Sequence, residues 1–447
     1  MIDHEPRVPR WSETLASASD ELPGSDVLHC SVATIGGHCC VLVRWDFGHQ
    51  GGTFGVAEAD AFVAATRSAQ DRQLPLVTIT RSGGTRLPEG MRALVGIPRA
   101  ALALDDLRAA GLPHISVADN PTTGGVWVAI GAGADVRIAV RGAVLGFSGP
   151  RVVTAMTGRS LPEGANTAEA AYAAGLVDAI ASHDEVGDLL GRILATLRPD
   201  EPQAVPPSKE SAPKAREAEA QLSESREAAR PCGDELLAAM LAERVPLESA
   251  DEVTSAAIGR LAGRRVIAVA LAGSRAAMPG PHGFALLVRA ARLAGDLNLA
   301  LVVLVDTPGA DPHTEADGLS AAIGDAVLAV LRTPAPTVAF VHGEGGSGGA
   351  LAGAVTDLVG IGEHGWFAAL GPEGAAAALR TSVGEAAAQM RITPADLLED
   401  GFADALVAPG TETDWTATAI DGLRVLPLEQ RLARRRERWS SPLRSQV

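Results

Sequence analysis

The sequence is poor in cysteine and has no arrangement of residues typical of a metal site. Its four cysteines, Cys30, Cys39, Cys40 and Cys232, lack the CxxC spacing of a zinc ribbon and do not suggest a disulfide framework. The 10 histidines are scattered without ligand spacing. We therefore expect four reduced thiols, no zinc and no other metal.

Long apolar runs and excess positive charge are also missing. No uninterrupted apolar stretch reaches the roughly 18 residues of a membrane span, and the charged, proline-bearing N-terminus has no apolar core. The formal net charge is −16, from 54 acidic and 38 basic residues, so a phosphate backbone would be repelled. The sequence predicts a cytoplasmic protein that binds neither membrane nor nucleic acid.

Several common catalytic motifs are absent as well. The chain contains no GxSxG nucleophile elbow, no HExxH zinc motif and no GxxxxGK[ST] phosphate loop. A reaction that relies on backbone amides fits this composition better than one that needs a side-chain nucleophile.

One segment differs in composition from the rest of the chain. From about Arg198 to Arg230 it is rich in Pro, Glu, Lys, Arg and Ala and has almost no large apolar residues. This pattern predicts a poorly packed linker, first extended and then helical. The predicted organisation is a domain at 1–197, a linker at 198–232 and a domain at 233–447.

The two predicted domains repeat the same landmarks in the same order and at nearly constant separation. The paired landmarks are Gly84 with Gly309, Gly125 with Gly349, FSGP (147–150) with ALGP (369–372), and GLVDA (175–179) with GFADA (401–405). Such agreement across four pairs indicates a duplicated domain. Short β-branched runs alternate with Ala- and Leu-rich helical stretches in each half, which predicts an α/β fold with buried strands.

Glycine pairs follow predicted strands in both halves. Gly83 and Gly84 come after LPLVTIT, and Gly348 and Gly349 come after PTVAFVHGEGG. Glycine lets backbone amides approach a reacting carbonyl, so both pairs are candidate oxyanion holes at helix N-termini. A single such pair more often marks a tight turn, but duplication at matched positions favours the functional interpretation.

Four titratable residues near these glycines are candidate acid–base groups. They are His342, Glu344, Glu315 and Asp306. Satisfied histidines and capping or solvated carboxylates are more common, so we expect structural roles for them.

At these motifs the sequence resembles the carboxyltransferases of biotin-dependent acyl-CoA carboxylases. Residues 45–195 resemble the β subunit of the bacterial acetyl-CoA carboxylase enzyme, through GGTFG (51–55), SGGTRLPEG (82–90), 100–126, GFSGPRVV (146–153) and AAGLVDAI (173–180). Residues 234–410 resemble the α subunit, through 258–270, 278–294, DTPGADP (306–312), GEGGSGGALAG (343–353) and GPEGAAAAL (371–379).

The resemblance implies two tandem crotonase-like (ββα spiral) domains. The first would bind an acyl-CoA, and the second would bind carboxybiotin on a separate biotin carboxyl carrier protein that a biotin carboxylase loads. Carboxybiotin would release CO2, the biotin anion would take the acyl α-proton, and the enolate would attack CO2. Active sites would lie between the N- and C-domains of different chains in a homo-oligomer.

The resemblance also assigns site residues by motif. Gly83 and Gly84 would stabilise the thioester oxyanion, with Gly124 and Gly125 lining the same pocket. On the biotin side, the assigned residues are Gly349 and Ala350 for the ureido oxygen, with Gly348 as a substrate-binding position. Ala352, two residues after the oxyanion alanine, is the substrate-binding position that would help to shape the acyl pocket. Because Ala352 stands in GGALAG as in acetyl-type α subunits, a short acyl group is expected, acetyl before propionyl.

Two stretches depart from the family pattern, and two other functions stay open. Asp311 replaces the aromatic residue after DTPGA, and LAGSR (271–275) stands where the family has an HQKGR-like stretch. The main alternative is a biotin-independent decarboxylase of malonyl-CoA or a malonyl-acyl-carrier protein. A scaffold subunit without activity is the third.

Overall fold

The computed structural model describes residues 15–206, 216–227 and 230–443. The chain divides into two compact units, Met1–Arg198 and Pro199–Val447. Each is described separately below.

The first unit is built on a sheet that contains eight strands among the described residues, in the order β1-β2-β3-β4-β5-β6-β8, with β7 paired to β5. The strands are β1 (Ser17–Leu22), β2 (Leu28–Ile35), β3 (His38–Trp45), β4 (Leu76–Ser82), β5 (His114–Thr123), β6 (Val136–Val140), β7 (Leu145–Gly146) and β8 (Ala179–Ala181). β1, β2 and β3 pair with one another in antiparallel fashion, and every pairing from β3–β4 onwards is parallel.

The second unit repeats this plan with seven strands in its described part, in the order β15-β14-β13-β12-β11-β10-β9. They are β9 (Ala242–Leu247), β10 (Ser255–Leu261), β11 (Arg264–Ala270), β12 (Ala300–Thr307), β13 (Thr337–Gly345), β14 (Leu358–Gly362) and β15 (Ala405–Val407). Again an antiparallel meander is followed by parallel strands. The predicted α/β class is confirmed in both units.

Helices connect the parallel strands, as parallel pairing requires. In the first unit they are α1 (Val56–Arg72), α2 (Met91–Leu94), α3 (Gly96–Ala109), α4 (Gly124–Val126), α5 (Pro150–Thr157), α6 (Ala168–Ala173) and α7 (His183–Leu197). In the second they are α8 (Ala218–Ser225), α9 (Gly233–Met240), α10 (Pro281–Asp296), α11 (Leu319–Arg332), α12 (Ser347–Ala354), α13 (Pro372–Leu379), α14 (Val383–Gln389), α15 (Pro394–Glu399), α16 (Glu412–Arg424) and α17 (Leu428–Ser440). Short 3₁₀ turns occupy Gln50–Gly52, Leu87–Glu89 and Pro312–Asp317, and α4 continues into a π-helical turn at Trp127–Gly131.

The repeated sequence landmarks occupy equivalent places in the two units. Gly149 and Gly371 each precede a helix whose first residue is proline, where the missing N–H costs no hydrogen bond. Gly175 and Gly401 have positive φ and follow α6 and α15. The duplication indicated by the sequence is therefore also present in the order of the elements.

Apolar strand residues form the cores. All eight residues of β12 are buried, as expected for a strand covered on both faces. In the first unit Trp45, Phe54 and Phe62 pack together with ring centroids 6.2 to 6.5 Å apart.

The predicted linker is not poorly packed where the structure describes it. In α8, Leu222 is buried in a cluster with Trp366 and Ile392, and Gln221 Nε2 donates to the Gly365 carbonyl at 2.8 Å. The expectation of an unpacked segment is thus wrong for α8, because a few apolar and amide side chains suffice to dock a short helix. Residues 207–215 lie outside the described residues.

Within the described residues there is no helix long and apolar enough to cross a membrane. The described His, Cys, Asp and Glu side chains form no group of three or more that could hold a metal ion.

Candidate active site

The first glycine turn, Gly83–Gly84 with Gly124–Gly125, lies at the carboxyl ends of β4 and β5. The two Gly83–Gly84 amides already have acceptors: Gly83 N–H donates to the Gly51 carbonyl at 2.9 Å and Gly84 N–H to Ser82 Oγ at 3.1 Å. The next α-helix begins only at Met91, after a 3₁₀ turn. The expectation that this pair stands at a helix N-terminus is therefore wrong, because the chain continues through a loop and a 3₁₀ turn before the helix begins.

Gly124 and Gly125 do stand at a helix N-terminus, as the first residues of α4. A Cβ atom placed on Gly124 would lie 3.0 Å from Gly84 Cα, and Gly84 adopts a φ of +102°. A Cβ atom on Gly125 would lie 2.4 Å from Ile97 Cδ1. The structure thus brings Gly84 and Gly124 into direct contact, with no side chain between the turns.

Arg86 holds this turn in place and was not singled out by the sequence analysis. Its guanidinium forms an ion pair with Glu58 at 2.9 Å and donates to the Thr53 carbonyl at 2.7 Å. Glu58, in turn, accepts the Gly55 N–H at the start of α1. The arginine in the motif SGGTR could have indicated this role. Its partners lie about 30 residues away in sequence, however, so the motif alone does not reveal them.

Glu89 completes the link between this loop and α1. Its carboxylate accepts the Val56 N–H at 2.7 Å and an Arg86 N–H at 3.2 Å. The bond from the Val56 amide, followed by the bond from Arg86, holds the pKa of Glu89 below its usual range.

The second glycine turn, Gly345–Gly349, connects β13 to α12. Ser347 N–H donates to the Ala368 carbonyl, and Ala350 N–H donates to the Gly346 carbonyl at 3.2 Å. Gly348 and Gly349 occupy the first turn of the helix, where N–H groups have no intrahelical acceptor. The amides available to an anion are therefore those of Gly348 and Gly349, whereas the Ala350 amide, predicted as a donor, is committed to the helix.

The two available positions differ in their surroundings. Gly348 is exposed, and a Cβ atom there would meet nothing within 4 Å. At Gly349 the same atom would lie 2.5 Å from the Ala310 nitrogen. Ala352, predicted as a substrate-binding position, is fully buried. Its side chain is therefore not exposed at the surface of this unit.

Buried charged residues lie beneath this turn and are already paired. Asp306 forms an ion pair with Arg230 at 2.8 Å, and Glu344 forms one with Arg226 at 2.8 Å. Burial lowers the pKa of His342 to about 4, so its imidazole is neutral at physiological pH. These contacts agree with the structural roles expected for these side chains.

The two stretches that depart from the family pattern both lie in the second unit. Asp311 begins the 3₁₀ turn Pro312–Asp317, and its carboxylate accepts the His313 N–H at 3.0 Å. Glu315, in the same turn, accepts from Ser320 Oγ at 2.9 Å. Arg275, from LAGSR, lines a cavity of about 310 Å³ together with Pro308 and Glu344.

Comparison with known proteins identifies the family. A family model described as acetyl co-enzyme A carboxylase carboxyltransferase-like matches residues 225–421. The acetyl-coenzyme A carboxylase carboxyl transferase subunits beta/alpha of Salinispora tropica are 36% identical over 424 residues, covering 87% of this chain and 75% of the relative. The chain belongs to this carboxyltransferase family. It is accordingly an enzyme, as the sequence resemblance implied.

Other relatives extend the likeness over nearly the whole chain. A probable biotin-dependent acyl-coenzyme A carboxylase beta3 subunit of Mycobacterium tuberculosis is 30% identical over 454 residues, covering 96% of this carboxyltransferase and 92% of the relative. This relative is named for acyl-CoA in general, so the family shown is that of acyl-CoA carboxylases and not of one acyl group.

Solved structures show the fold. Transcarboxylase 12S, in a crystal structure with methylmalonyl-coenzyme A and methylmalonic acid bound, aligns with a TM-score of 0.77 at 20% identity, over 95% of this chain and 91% of that one. A single-chain, multi-domain long-chain acyl-CoA carboxylase aligns with a TM-score of 0.72 at 17% identity, over 92% of this chain and 45% of that one. The predicted pair of crotonase-like domains is confirmed.

Proposed function

We propose that this enzyme moves the carboxyl group from carboxybiotin on a separate carrier protein to a short acyl-CoA, converting acetyl-CoA to malonyl-CoA. The observation that carries the proposal is the duplicated turn from strand through glycine to helix, at Gly124–Gly125 in one unit and Gly348–Gly349 in the other. A transfer between two carriers needs two sites for developing negative charge, whereas a decarboxylase needs one. The names of the curated relatives support the same reaction.

On the acyl side, the glycines allow a substrate to approach the backbone closely, and the start of α4 provides an electrostatic field that favours negative charge. The start of α4 presents backbone N–H groups and the positive end of a short helical segment. The contact between Gly84 and Gly124 keeps side chains away from the surface on which a thioester carbonyl would lie. The Gly124 and Gly125 amides would stabilise negative charge on the thioester oxygen, and the contact between Gly84 and Gly124 would keep bulky groups away from it.

On the biotin side, the fit rests on the open N-terminus of α12. The Gly348 and Gly349 amides would hold the ureido oxygen, and Gly348 leaves open space for a ring. When bound, carboxybiotin supplies the carboxyl group and, once this has left, a base for the acyl α-proton. The chain's own residues would position the bound group and stabilise the negative charge that develops on it.

This division of labour explains why no side-chain base is needed. His342 is buried and neutral, and Asp306 and Glu344 are held by arginines. Their commitment to structure leaves the proton transfer to the bound group.

The proposed partners are a biotin carboxyl carrier protein, a biotin carboxylase and further copies of this chain, with sites between N- and C-domains of different chains. One reason to expect a homo-oligomer is the exposed apolar surface of the first unit, formed by Leu87, Met91, Leu94, Val95 and Leu102. A cytoplasmic location stays a prediction from the sequence.

The deciding experiment measures the turnover of malonyl-CoA by the purified chain in three conditions: with free biotin, with biotinylated carrier protein, and with neither. We expect loss of malonyl-CoA, and carboxylation of the carrier, only when biotin is present. Turnover without biotin would favour the decarboxylase of malonyl-CoA or malonyl-acyl-carrier protein. No turnover in any condition, from a folded chain, would favour the scaffold.

The acyl group is tested by comparing kcat/KM for acetyl-, propionyl- and a long-chain acyl-CoA with the loaded carrier. We expect acetyl-CoA to be preferred over propionyl-CoA, since the GGALAG stretch resembles acetyl-type α subunits, and by about 10-fold, because one methylene changes discrimination by only roughly 1–3 kcal/mol. Preference for the long chain would overturn the acetyl-CoA assignment while leaving the carboxyltransferase reaction intact.

A further inference from the structure

The pairing of β12 with β13 is interrupted just before the second glycine turn. Val305 pairs with Val341 and Thr307 pairs with Gly345, so a single residue, Asp306, faces a three-residue bulge, His342–Glu344. Backbone groups in such a bulge cannot all join the regular ladder of hydrogen bonds. Because the bulge is buried, they need other partners.

Two side chains provide these partners. Asp306 Oδ1 accepts the Glu344 N–H at 2.9 Å, and Arg230 Nη1 donates to the His342 carbonyl at 3.3 Å. Arg230 also donates through Nη2 to Asp306 Oδ1 at 3.0 Å and through Nε to the Ser225 carbonyl, at the end of α8, at 2.9 Å. One guanidinium therefore connects α8, β12 and the bulge in β13.

The bulge is closed tightly around this ion pair. A Cβ atom on Gly343 would lie 1.9 Å from Asp306 Oδ1 and 2.6 Å from Arg230 Nη1. The side chains of Arg230 and Asp306 are 7% and 1% exposed. Loss of the guanidinium would leave a buried carboxylate without its counter-charge and a carbonyl without a donor.

The first unit contains an equivalent bulge, but a different side chain bonds to its backbone. Thr80 pairs with Ala118 and Ser82 with Thr122, so Arg81 faces three residues of β5. There the facing residue is itself an arginine, and Arg81 Nε donates to the Asn120 carbonyl at 2.6 Å. In the second unit the facing residue is an acid that takes the bulge N–H, so the donor to the bulge carbonyl must come from elsewhere, and Arg230 supplies it.

We propose that Arg230 is a positioning residue for the second glycine turn, holding the His342–Glu344 bulge in the geometry from which the Gly348 and Gly349 amides project. Only a few residues separate the bulge from these amides, and the Gly346 N–H continues the attachment by donating to the Thr307 carbonyl at 2.9 Å. The direction in which the chain leaves the sheet thus depends on the bulge. That the turn receives biotin rests on the proposed function; that Arg230 orders the turn does not.

The test compares Arg230→Met with Arg435→Met in the full chain. Arg435 forms an equally buried ion pair with Asp357, whose side chains are 0% and 3% exposed. It lies at the opposite end of β13, because Asp357 accepts the Thr337 N–H at the start of that strand. Both variants remove a buried ion pair between an arginine and an aspartate, one near the glycine turn and one near the opposite end of β13.

Hydrogen exchange of peptides covering 343–354 is the first measurement. We expect Arg230→Met to raise exchange there by about 10-fold or more relative to Arg435→Met, because it removes hydrogen bonds that close the bulge. Equal exchange in both variants would overturn the proposal. If Arg230→Met does not fold, Arg230→Lys is compared with Arg435→Lys by the same criterion.

Steady-state kinetics is the second measurement. We expect Arg230→Met to lower kcat on the order of 10- to 100-fold, since small displacements of a site reduce the rate strongly, with KM for acyl-CoA within about twofold of wild type. Arg230→Lys should recover part of kcat. A loss shared equally by Arg435→Met would indicate a merely structural role. Absence of transfer in the wild type would contradict the proposed function, while the exchange result would still decide the role of Arg230.

Discussion

Gly84 and Gly124 touch each other through their backbones, so that a Cβ atom on Gly124 would lie 3.0 Å from Gly84 Cα. The contact joins the ends of β4 and β5 and crowds any side chain on Gly124, whereas Gly84 is restricted by its φ of +102°. A closely matched position is Gly142, which has a φ of +72° against +66° for Gly124 but meets nothing within 4 Å.

We therefore expect Gly124→Ala to lower the Tm of the first unit further than Gly142→Ala does. Both substitutions place alanine in a left-handed conformation, at a cost of about 1–2 kcal/mol, and only Gly124→Ala adds a steric conflict. Each further 1 kcal/mol corresponds to roughly 2–4 °C in a unit of this size. Thermal unfolding measures the difference, and acyl-CoA binding should weaken in Gly124→Ala alone. Equal effects of the two variants would show that the close approach is unimportant.

A second comparison concerns Gly348 and Gly349. Gly348→Ala places its Cβ in open space and should keep the Tm of the wild type, whereas Gly349→Ala would force Ala310 to move. We expect Gly349→Ala, and more strongly Gly349→Val, to reduce carboxyl transfer on the order of 100- to 1,000-fold, the usual effect of losing an oxyanion donor.

Acyl-CoA binding provides the control for this second prediction. Gly349→Val should leave it intact, whereas Gly84→Val should impair it. Near wild-type turnover in both valine variants would contradict the assignment of these turns to oxyanions.

The predicted linker should tolerate a deletion within residues 207–215 but not the loss of a buried side chain in α8. Removing three residues within 207–215 should leave Tm and activity nearly unchanged, because the cost of loop closure depends only weakly on length. Leu222→Ala, in α8, should destabilise the second unit by about 2–5 kcal/mol, since it empties a buried site. Denaturant unfolding followed by tryptophan fluorescence suits this test, because Trp366 packs against Leu222. The reverse order of effects would mean that the packed part of this segment has been misassigned.

Stability should fall on mild acidification because of buried histidines. Burial lowers the pKa of His114 from its ordinary value of 6.5 to about 3, and that of His342 to about 4. Below pH 6.5 the unfolded chain takes up protons that the folded chain does not, so the free energy of unfolding decreases as pH drops towards 4.

The measurement is the change in Tm between pH 7 and about pH 5. It should be smaller in His114→Gln than in the wild type, because glutamine does not titrate. His29→Gln, at an exposed position, is the control and should behave as the wild type. An unchanged pH dependence in His114→Gln would assign the effect to other groups.

The sequence alone determined the α/β class, the duplication and the family. These depend on local patterns: apolar β-branched runs that favour buried strands, glycines where strands end, and motifs that are contiguous in the chain. The placement of Gly348–Gly349 at a helix start followed from the same patterns, whereas Gly124–Gly125 entered only through the family resemblance and their helix start was found in the structure.

Only the tertiary structure decided which amides are available and what holds them. Gly83 and Ala350 appeared suitable as donors, but the carbonyls of Gly51 and Gly346 accept their N–H groups. Arg230 lay in a segment whose composition indicated a linker, yet its partner Asp306 is 76 residues away. Hydrogen-bond partners of this kind are set by the packing of elements distant in sequence, and composition and periodicity carry no information about them.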